Sequence, residues 1–326
     1  MSLFKNKKTF AERNPEMAPA YSRLNAAQKK VLDEFSFLAD RQHRAAKRVA
    51  LQRIAEVVVI PGNAALSAAS IRRRTADLYS ACKVVLRNAE LTTNVSAALF
   101  NHDAFLNSEE VKTVWTFKTN KTDHYFNKRQ SVEENVFGYT VDWNVPIAQA
   151  AMTRPVYAGM NYAGHPYGAA AVYGAVCLVL KRSVNHRSTY ISKDTFTSEF
   201  KFETGTPEEI EASRSKICTA AEISNIIAHL SNSQLKALCK RAEGHRASGD
   251  IPPHYIEAQV HGGIKWAKDL DAIRVATSGE ASLAMNAKTA NVSEDVLLGK
   301  IGQFAEQHGV VAGLYHQGDL VRIVRP

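Results

Sequence analysis

The first 90 residues place apolar positions at the spacing of a helix. Between Asn25 and Val59, apolar residues recur every three or four positions, which predicts one long helix or a broken pair; they are Val31, Leu32, Phe35, Leu38, Ala45, Val49 and Ile54. Asn25 has the side chain of an N-cap, and Pro61 with Gly62 ends the segment. The same spacing predicts a second helix over Ser67–Asn88.

After residue 100 the pattern changes to short runs of β-branched and aromatic residues, which are typical of strands. The predicted strands cover Val111–Lys118, Val136–Trp143, Val156–Tyr162, Ala169–Leu180, Ser188–Phe196 and, after a Pro252-Pro253 turn, Tyr255–Ile264. Further helices are predicted over Pro207–Ser231, Ser233–Gly244 and Ser293–His308, with a closing hairpin over Val310–Val324 that turns at Gln317-Gly318-Asp319. This layout predicts an α+β protein with a helical N-terminal region, residues 1–95, and a mixed body, residues 96–326.

Composition narrows the class of protein. The chain has 326 residues, 45% of them hydrophobic, which is enough for a sizeable core. No apolar run approaches the roughly 20 residues that span a bilayer, and Met1–Thr9 lacks the apolar stretch of a Sec signal peptide. The four cysteines are scattered, which fits a reducing compartment, and no Cys/His spacing matches a zinc site. We therefore predict no membrane span and no structural metal.

The net charge of +9 lies in the N-terminal part of the chain. Residues 1–90 hold 17 Lys and Arg against 8 Asp and Glu, and the charges of the remainder cancel. The Arg72-Arg73-Arg74 triplet fits a nucleic-acid or acidic-membrane contact, but it equally fits a solvated helix face or a surface for a secretion chaperone. The absence of interleaved aromatic residues favours the second interpretation, and the neutral body argues against DNA as a partner.

The strand predicted after Pro253 carries the most unusual polar pattern. Period 2 places Ile256, Ala258 and Val260 on an apolar face, and Tyr255, Glu257, Gln259 and His261 together on the other. A carboxylate on such a strand is either paired for structural reasons or functional.

Two earlier stretches add candidate chemistry. Arg154 stands at the mouth of an apolar strand, where a guanidinium can hold a phosphate or a ribose, although most arginines at strand ends are solvated. Ser188 and Thr189 are adjacent hydroxyls whose side chains point to opposite faces of a strand, so that one can face a site while the other braces its neighbour.

In this order, the arginine, the Ser-Thr pair and the glutamate resemble the R-S-E class of mono-ADP-ribosyltransferases. Glu257-Ala258-Gln259-Val260 matches the position where that class has its catalytic glutamate and an apolar strand. The stretch Gly168–Gly174 and the later Arg187–Tyr190 look like a bacterial branch of effector-type members. Within it, the chain resembles type III effectors that attach ADP-ribose to a threonine of host ubiquitin, over about residues 100 to 275.

The resemblance implies a fold and a set of roles. The fold would be the split mixed sheet of an ADP-ribosyltransferase core, and the substrate would be NAD. Glu257 would accept a hydrogen bond from the nicotinamide-ribose 2′-hydroxyl and stabilise the positive charge that develops on the ribose. Arg154 would hold the NAD phosphates or ribose, Ser188 would steady the glutamate, and Thr189 would support the strand. Backbone groups of Gly159–Asn161 would hold the nicotinamide amide.

One departure from the class concerns the acceptor. Arginine-modifying members have Glu or Gln two residues before the catalytic glutamate, where this chain has Tyr255. This favours a hydroxyl acceptor such as threonine. Tyr255, Gln259 and His261 would then line the acceptor side, with His261 either taking the hydroxyl proton or only packing at the strand end.

Three hypotheses stay open at this point. The first is a toxin-like transferase that leaves the bacterium without a Sec signal and modifies a host protein, such as ubiquitin, in the host cytoplasm. The second is an NAD glycohydrolase, which needs only the cofactor site. The third is a non-catalytic protein that binds through its basic helical region, with a secretion chaperone, an anionic membrane or nucleic acid as the partner.

Overall fold

Nine strands form one continuous mixed sheet in a computed structural model, which describes residues 8–61, 65–111, 113, 115, 124–140, 151–197, 199–245, 247, 255–279 and 282–325. The strands are β1 (Glu90–Val95), β2 (Val156–Asn161), β3 (Val176–Leu180), β4 (Ser188–Ile191), β5 (Cys218–Thr219), β6 (Ile256–Val260), β7 (Leu270–Ala276), β8 (Val311–His316) and β9 (Asp319–Val324). Their order across the sheet is β5-β4-β6-β2-β1-β3-β7-β8-β9. Neighbours are antiparallel except for β7 and β8. The prediction of an α+β protein with a mixed sheet and a helical N-terminal region is confirmed, and the split core of an ADP-ribosyltransferase stays a prediction.

Helices pack on this sheet from both ends of the chain. They are α1 (Phe10–Arg13), α2 (Ala18–Ser22), α3 (Ala26–Ile54), α4 (Ala68–Asn88), α5 (Asp103–Leu106), α6 (His124–Phe137), α7 (Pro207–Arg214), α8 (Asn232–Ala242), α9 (Trp266–Asp269), α10 (Leu283–Ala290) and α11 (Glu294–Gln307). Among the described residues, none of the helices is long and apolar enough to cross a membrane.

The long N-terminal helices follow their caps as predicted. The Asn25 side chain accepts a hydrogen bond from the backbone N–H of Gln28, and the Gln28 side-chain oxygen accepts one from the backbone N–H of Asn25, which closes a capping box at the start of α3. Ser67 caps α4 by accepting from the backbone N–H of Ser70. The predictions of helices over Asn25–Val59 and Ser67–Asn88 are confirmed.

The helical N-terminal region shares its core with the sheet. Ile54 of α3 and Leu78 of α4 are buried in the same apolar cluster as Met160 of β2 and Ile256 of β6. Strand β1 lies between β2 and β3 near the middle of the sheet. The predicted division into 1–95 and 96–326 therefore does not separate two cores, because its boundary falls at the end of a central strand.

Several predicted elements need correction. Ala169–Leu180 is a strand only over Val176–Leu180, because Gly168 turns the backbone at φ +86° and the following alanines cross β1 as buried, non-strand chain. Apolar content alone does not separate these two states. Pro207–Ser231 is helical as far as Arg214, after which the chain forms β5 and a 3₁₀ turn over Ile223–His229.

Other predictions meet mixed outcomes. Val136 and Phe137 close helix α6 and do not begin a strand, and residues 141–143 lie outside the described residues, as do most of Val111–Lys118 and the Pro252-Pro253 turn. The final hairpin is confirmed. It turns through Gln317 at φ 48° and Gly318 at φ 93°, as a two-residue hairpin loop requires.

Strand β6, which carries the polar face with Glu257 and Gln259, lies between two other strands. It pairs with β2 on one side and β4 on the other, with Gly159 opposite Glu257 and Thr189 opposite Gln259. Ile256, Ala258 and Val260 join the helical core, so the predicted alternation of the two faces is confirmed.

Candidate functional site

A pocket of about 270 Å³ opens over the polar face of β6. Its wall is formed by strands β1, β2 and β6, by helix α6, by the segment before β3 and by the turn after β4. The lining residues are Thr92, Thr93, Asn94, Tyr125, Arg129, Tyr157, Ala158, Gly159, Ala170, Tyr173, Asp194, Phe196, Tyr255 and Glu257. Aromatic rings and a few charged groups therefore converge on one cavity, as in small-molecule sites.

Glu257 is the buried acidic group of this pocket. Its side chain is only 2% exposed. One carboxylate oxygen accepts a hydrogen bond from Gln259 Nε2 at 2.7 Å, and the other accepts from the backbone N–H of Thr195 at 3.3 Å. Burial, followed by the charge of Asp194, raises the pKa of Glu257 to about 7, while Arg129 acts in the opposite direction. A carboxyl with this pKa changes its charge near neutral pH.

Arg129 of helix α6 supplies the positive charge. Its guanidinium lies between two rings, 3.7 Å from the centre of Tyr157 and 3.8 Å from that of Phe196. It also donates to the hydroxyls of Tyr125, at 3.2 Å, and Thr195, at 3.4 Å. This stacking fixes the cation at the edge of the pocket without an ion-pair contact to Glu257 among the described residues.

A second carboxylate, Asp194, faces the same pocket. It lies in the turn after β4, where its Oδ1 accepts from the backbone N–H of Phe196 at 2.7 Å. Its Oδ2 accepts from the hydroxyl of Tyr255 at 3.3 Å, and the Tyr255 ring meets Tyr173 edge to face at 6.2 Å. The pocket thus holds two acidic groups, of which Glu257 is buried and Asp194 is half-buried.

Wider hollows exist elsewhere in the described residues. One of about 590 Å³ lies beside Arg154, and one of about 360 Å³ lies beside Asn185. Their carboxylates, Glu110 and Glu16, are exposed. We favour the smaller pocket because a buried carboxyl with a displaced pKa is a better indicator of chemistry than volume.

Arg154 lies away from the wall of the Glu257 pocket. Its side chain is fully buried, its Nη1 donates to Glu133 Oε2 at 3.1 Å, and its guanidinium stacks 4.0 Å over the ring of Trp115. Glu133 also accepts from Trp115 Nε1 and from the Tyr157 hydroxyl. Arg154 is thus engaged in a buried ion pair, and the geometry does not offer it to the phosphates of a ligand beside Glu257.

The two hydroxyls of the Ser-Thr pair point to opposite faces of β4, as their alternation predicts. Ser188 turns away from Glu257 and donates to the carbonyl of Val184 at 2.8 Å. Thr189 lies on the Glu257 face, where its hydroxyl donates to Gln259 Oε1 at 2.9 Å. In this geometry Thr189, and not Ser188, contacts the side chain that holds Glu257.

The two ends of the Gly159–Asn161 segment, which lies in strand β2, also differ. Gly159 lines the pocket, and a Cβ added there would lie 2.7 Å from Ala169 Cβ, so the glycine permits the close crossing of the chain. Asn161 uses its amide to hold the following turn, with its Nδ2 donating to His165 O and its Oδ1 accepting from His165 N–H, both at 2.8 Å. Its side chain is not among the residues that line the pocket.

Of the three acceptor-side candidates, Tyr255 alone reaches the pocket surface. Gln259 and His261 are completely buried beneath Glu257. Burial and the charge of Arg187 lower the pKa of His261 to about 3, so that its ring is neutral. This enclosed imidazole does not line the pocket, so the role of His261 with the acceptor hydroxyl stays a prediction that this geometry does not support.

The residues that sequence reasoning missed are Arg129, Asp194 and Tyr173. Arg129 lies between two predicted strands in a stretch without a predicted element or motif, and Asp194 falls inside the predicted strand Ser188–Phe196. Tyr173 lies in the predicted strand Ala169–Leu180 and in the Gly168–Gly174 stretch of the resemblance, and neither pattern marks it as a site residue. The Asp194-Thr195-Phe196-Thr197 turn was the one usable signal, since Asp favours the first position of such turns.

Comparison with known proteins adds a family without a described activity. No curated protein matches the chain. A family model matches residues 120–295, just over half of the chain, a range that contains Arg129, Asp194 and Glu257. The chain therefore belongs to the family described as "Protein of unknown function (DUF3626)".

Proposed function

We propose that the protein cleaves NAD between nicotinamide and ribose and transfers the ADP-ribose to a protein acceptor. The observation that carries this proposal is the Glu257 carboxylate, which is buried, held by two hydrogen-bond donors and placed at the wall of an aromatic-lined pocket. The R-S-E resemblance of the strand sequence supports the same role for this residue.

A fixed carboxylate suits the cleavage step. When the C–N glycosidic bond breaks, its electron pair leaves with nicotinamide, which becomes neutral, and positive charge develops on the ribose. An ionised Glu257 stabilises that charge in a cavity where water screens it little. Because Gln259 and Thr195 fix both oxygens, little reorganisation accompanies the reaction.

The remaining wall suits the other parts of NAD. Tyr157, Tyr173 and Tyr255 offer ring surfaces for the planar nicotinamide. The pocket volume, about 270 Å³, lies just below the range of about 300–1,000 Å³ for drug-sized ligands, so the adenosine end would extend outside. In this proposal Arg129 takes the phosphate-binding role that the resemblance assigns to Arg154, because Arg129 lines the pocket.

The acceptor that fits best is a hydroxyl. Tyr255 replaces the acidic or amide side chain of arginine-modifying enzymes, and Asp194, held by the Tyr255 hydroxyl, lies where a base could take a hydroxyl proton. A threonine of host ubiquitin is the candidate that the resemblance supplies. The site of action would then be the host cytoplasm.

Hydrolysis of NAD is the second candidate. Every group assigned to cleavage lies within one pocket of a single chain, so water could replace the protein acceptor without any change in the site. An NAD glycohydrolase would share the role of Glu257 and differ only in the final step.

The test incubates the purified protein with tagged NAD and a host-cell lysate. Glu257→Gln removes the negative charge with little change of shape, and Glu306→Gln, an exposed glutamate of α11, is the matched control. We expect a labelled protein band with the wild type and with Glu306→Gln, and at least a hundredfold less label with Glu257→Gln, on the scale of a lost electrostatic contact in a transition state.

The outcomes separate the candidates. Nicotinamide release without a labelled band would identify a glycohydrolase. Equal labelling by wild type and Glu257→Gln, or no cleavage of NAD by either, would refute the proposal. Urea unfolding of each variant checks that the substitution has left the fold intact.

A further inference from the structure

Five buried side chains form a continuous hydrogen-bonded chain beneath the pocket. Tyr139 Oη lies 3.0 Å from His261 Nδ1, and His261 Nε2 lies 3.2 Å from Thr189 Oγ1. Thr189 Oγ1 lies 2.9 Å from Gln259 Oε1, and Gln259 Nε2 lies 2.7 Å from Glu257 Oε1. All five side chains are at most 4% exposed, so water does not compete for these bonds.

The donors and acceptors fix the direction of this chain. An ionised Glu257 only accepts, so the Gln259 amide must turn its N–H toward the carboxylate and its oxygen toward Thr189. The Thr189 hydroxyl donates its single proton to that oxygen, so it must accept a hydrogen bond from His261 Nε2–H. The neutral ring then leaves its Nδ1 to accept from the Tyr139 hydroxyl, which satisfies every member of the chain.

We propose that Thr189 and Gln259 are positioning residues that keep Glu257 ionised and oriented. Thr189 holds the Gln259 amide in one of its two orientations, and that orientation presents a donor to the carboxylate. Without the Thr189 hydroxyl, the amide can rotate and present its oxygen, which favours the protonated form of Glu257. The effect on catalysis rests on the proposed function, but the effect on the carboxyl does not.

Other groups also face Glu257, and they do not depend on Thr189. Asp194 comes from the turn after β4, Arg129 from helix α6, Tyr157 from β2 and Tyr255 from the start of β6. A substitution at Thr189 leaves all four in place. A change in the titration of Glu257 in that variant therefore reports the hydrogen-bonded chain alone.

The experiment compares Thr189→Val with Thr189→Ser. Valine keeps the branched shape without the hydroxyl, and serine restores the hydroxyl. Thr219→Val is the matched control, because Thr219 is a buried threonine opposite Thr189 on β5 whose hydroxyl donates to Glu222 and has no bond to the chain. The carboxyl of Glu257 is titrated by ¹³C NMR of glutamate-labelled protein, with Glu257→Gln used to assign its signal.

We expect the midpoint of Glu257 to rise by about one pH unit in Thr189→Val, a tenfold change in the ionised fraction below the midpoint. Thr189→Ser and Thr219→Val should titrate as the wild type does. The pH at which NAD cleavage is half-maximal should move by the same amount. If Thr189→Val is poorly folded, Gln259→Met, which removes the donor itself, should give at least as large a rise.

An unchanged midpoint in Thr189→Val and Gln259→Met would overturn the inference. A rise in Thr219→Val equal to that in Thr189→Val would also overturn it, since the effect would then be one of packing. If the wild type cleaves no NAD, the proposed function fails, and the NMR titration still decides whether Thr189 and Gln259 position the carboxyl.

Discussion

At the scale of single residues, the pocket is governed by three charges that came from unrelated parts of the chain. Glu257 is buried on a strand, Asp194 lies in a turn, and Arg129 is stacked on a helix. Burial and Asp194 raise the pKa of Glu257, whereas Arg129 lowers it. The fraction of Glu257 that is ionised near pH 7 therefore depends on the balance between two neighbours of opposite sign.

This balance predicts the effect of Asp194→Asn on the pH profile of NAD cleavage. The reaction requires the ionised form of Glu257, whose pKa is about 7, so activity should rise with pH through that value. Removing the negative charge of Asp194 lowers the pKa of Glu257, and the half-maximal pH should move to a lower value. The measurement is the rate of nicotinamide release between pH 5 and 9.

Arg129→Met is the control, because it should shift the pKa of Glu257 in the opposite direction. Loss of the cation should raise the pKa of Glu257 and move the half-maximal pH upward. A profile that stays in place in both variants, or that moves in the same direction in both, would show that Glu257 is not the group that titrates.

At the scale of secondary-structure elements, the sequence predicted what local pattern determines. The period-2 alternation of β6, the caps of α3 and α4 and the Gln317-Gly318 turn each depend on a few consecutive residues, and each was predicted correctly. Strands β1 and β7 were not predicted. Four of the six residues of Glu90–Val95 are polar, and Leu270–Ala276 carries Asp271 and Arg274 without a period-2 pattern, so both become strands because of the partners on either side.

Local sequence pattern also identified only part of the candidate site. Glu257 could be found because its own strand is unusual, but nothing local distinguishes Arg129 from Arg154. Both arginines are buried and stacked on rings, and only the order of the strands decides which one faces Glu257. Asp194 reaches the pocket because β4 pairs with β6 and ends beside Glu257, a long-range pairing that no short motif encodes.

Arg154 accordingly has a structural role that can be measured. It joins the segment before β2 to helix α6 through Glu133, and both side chains are removed from solvent. Arg154→Met leaves the Glu133 carboxylate buried without its ion-pair partner, so we expect the free energy of unfolding to fall by about 3–5 kcal/mol. Urea unfolding provides the measurement.

Arg23→Met is the comparison, because Arg23 is 37% exposed in its ion pair with Asp269 and should cost about 1 kcal/mol or less. If Arg154→Met instead unfolds like the wild type and loses NAD binding, the role implied by the resemblance would be correct, and Arg129 would not be the phosphate-binding residue.

At the scale of the whole molecule, the basic N-terminal region and the sheet form one structure. Residues 1–90 carry 17 Lys and Arg against 8 Asp and Glu, and Arg72, Arg73 and Arg74 are exposed on α4. These arginines stay candidates for a secretion-chaperone surface. The opposite side of α4 is buried in the apolar cluster that also contains residues of the sheet, so such a partner would bind to the folded molecule at an outer helix face and not to a detachable head.

A truncation tests this unity directly. A protein of residues 96–326 lacks β1, so β2 and β3 lose the strand between them, and it lacks α3 and α4, whose buried side chains share one apolar cluster with those of β6. We expect it to show no cooperative urea unfolding by circular dichroism and no cleavage of NAD, because the pocket also loses Thr92, Thr93 and Asn94.

A protein of residues 8–326 keeps every described element and should unfold cooperatively, with a midpoint close to that of the full chain. Should residues 96–326 fold and retain activity, the boundary at residue 95 would separate true domains, and the shared core would contribute nothing essential. We expect residues 96–326 not to fold, because removal of a central strand interrupts the nine-stranded sheet and removal of α3 and α4 exposes the core that they share with it.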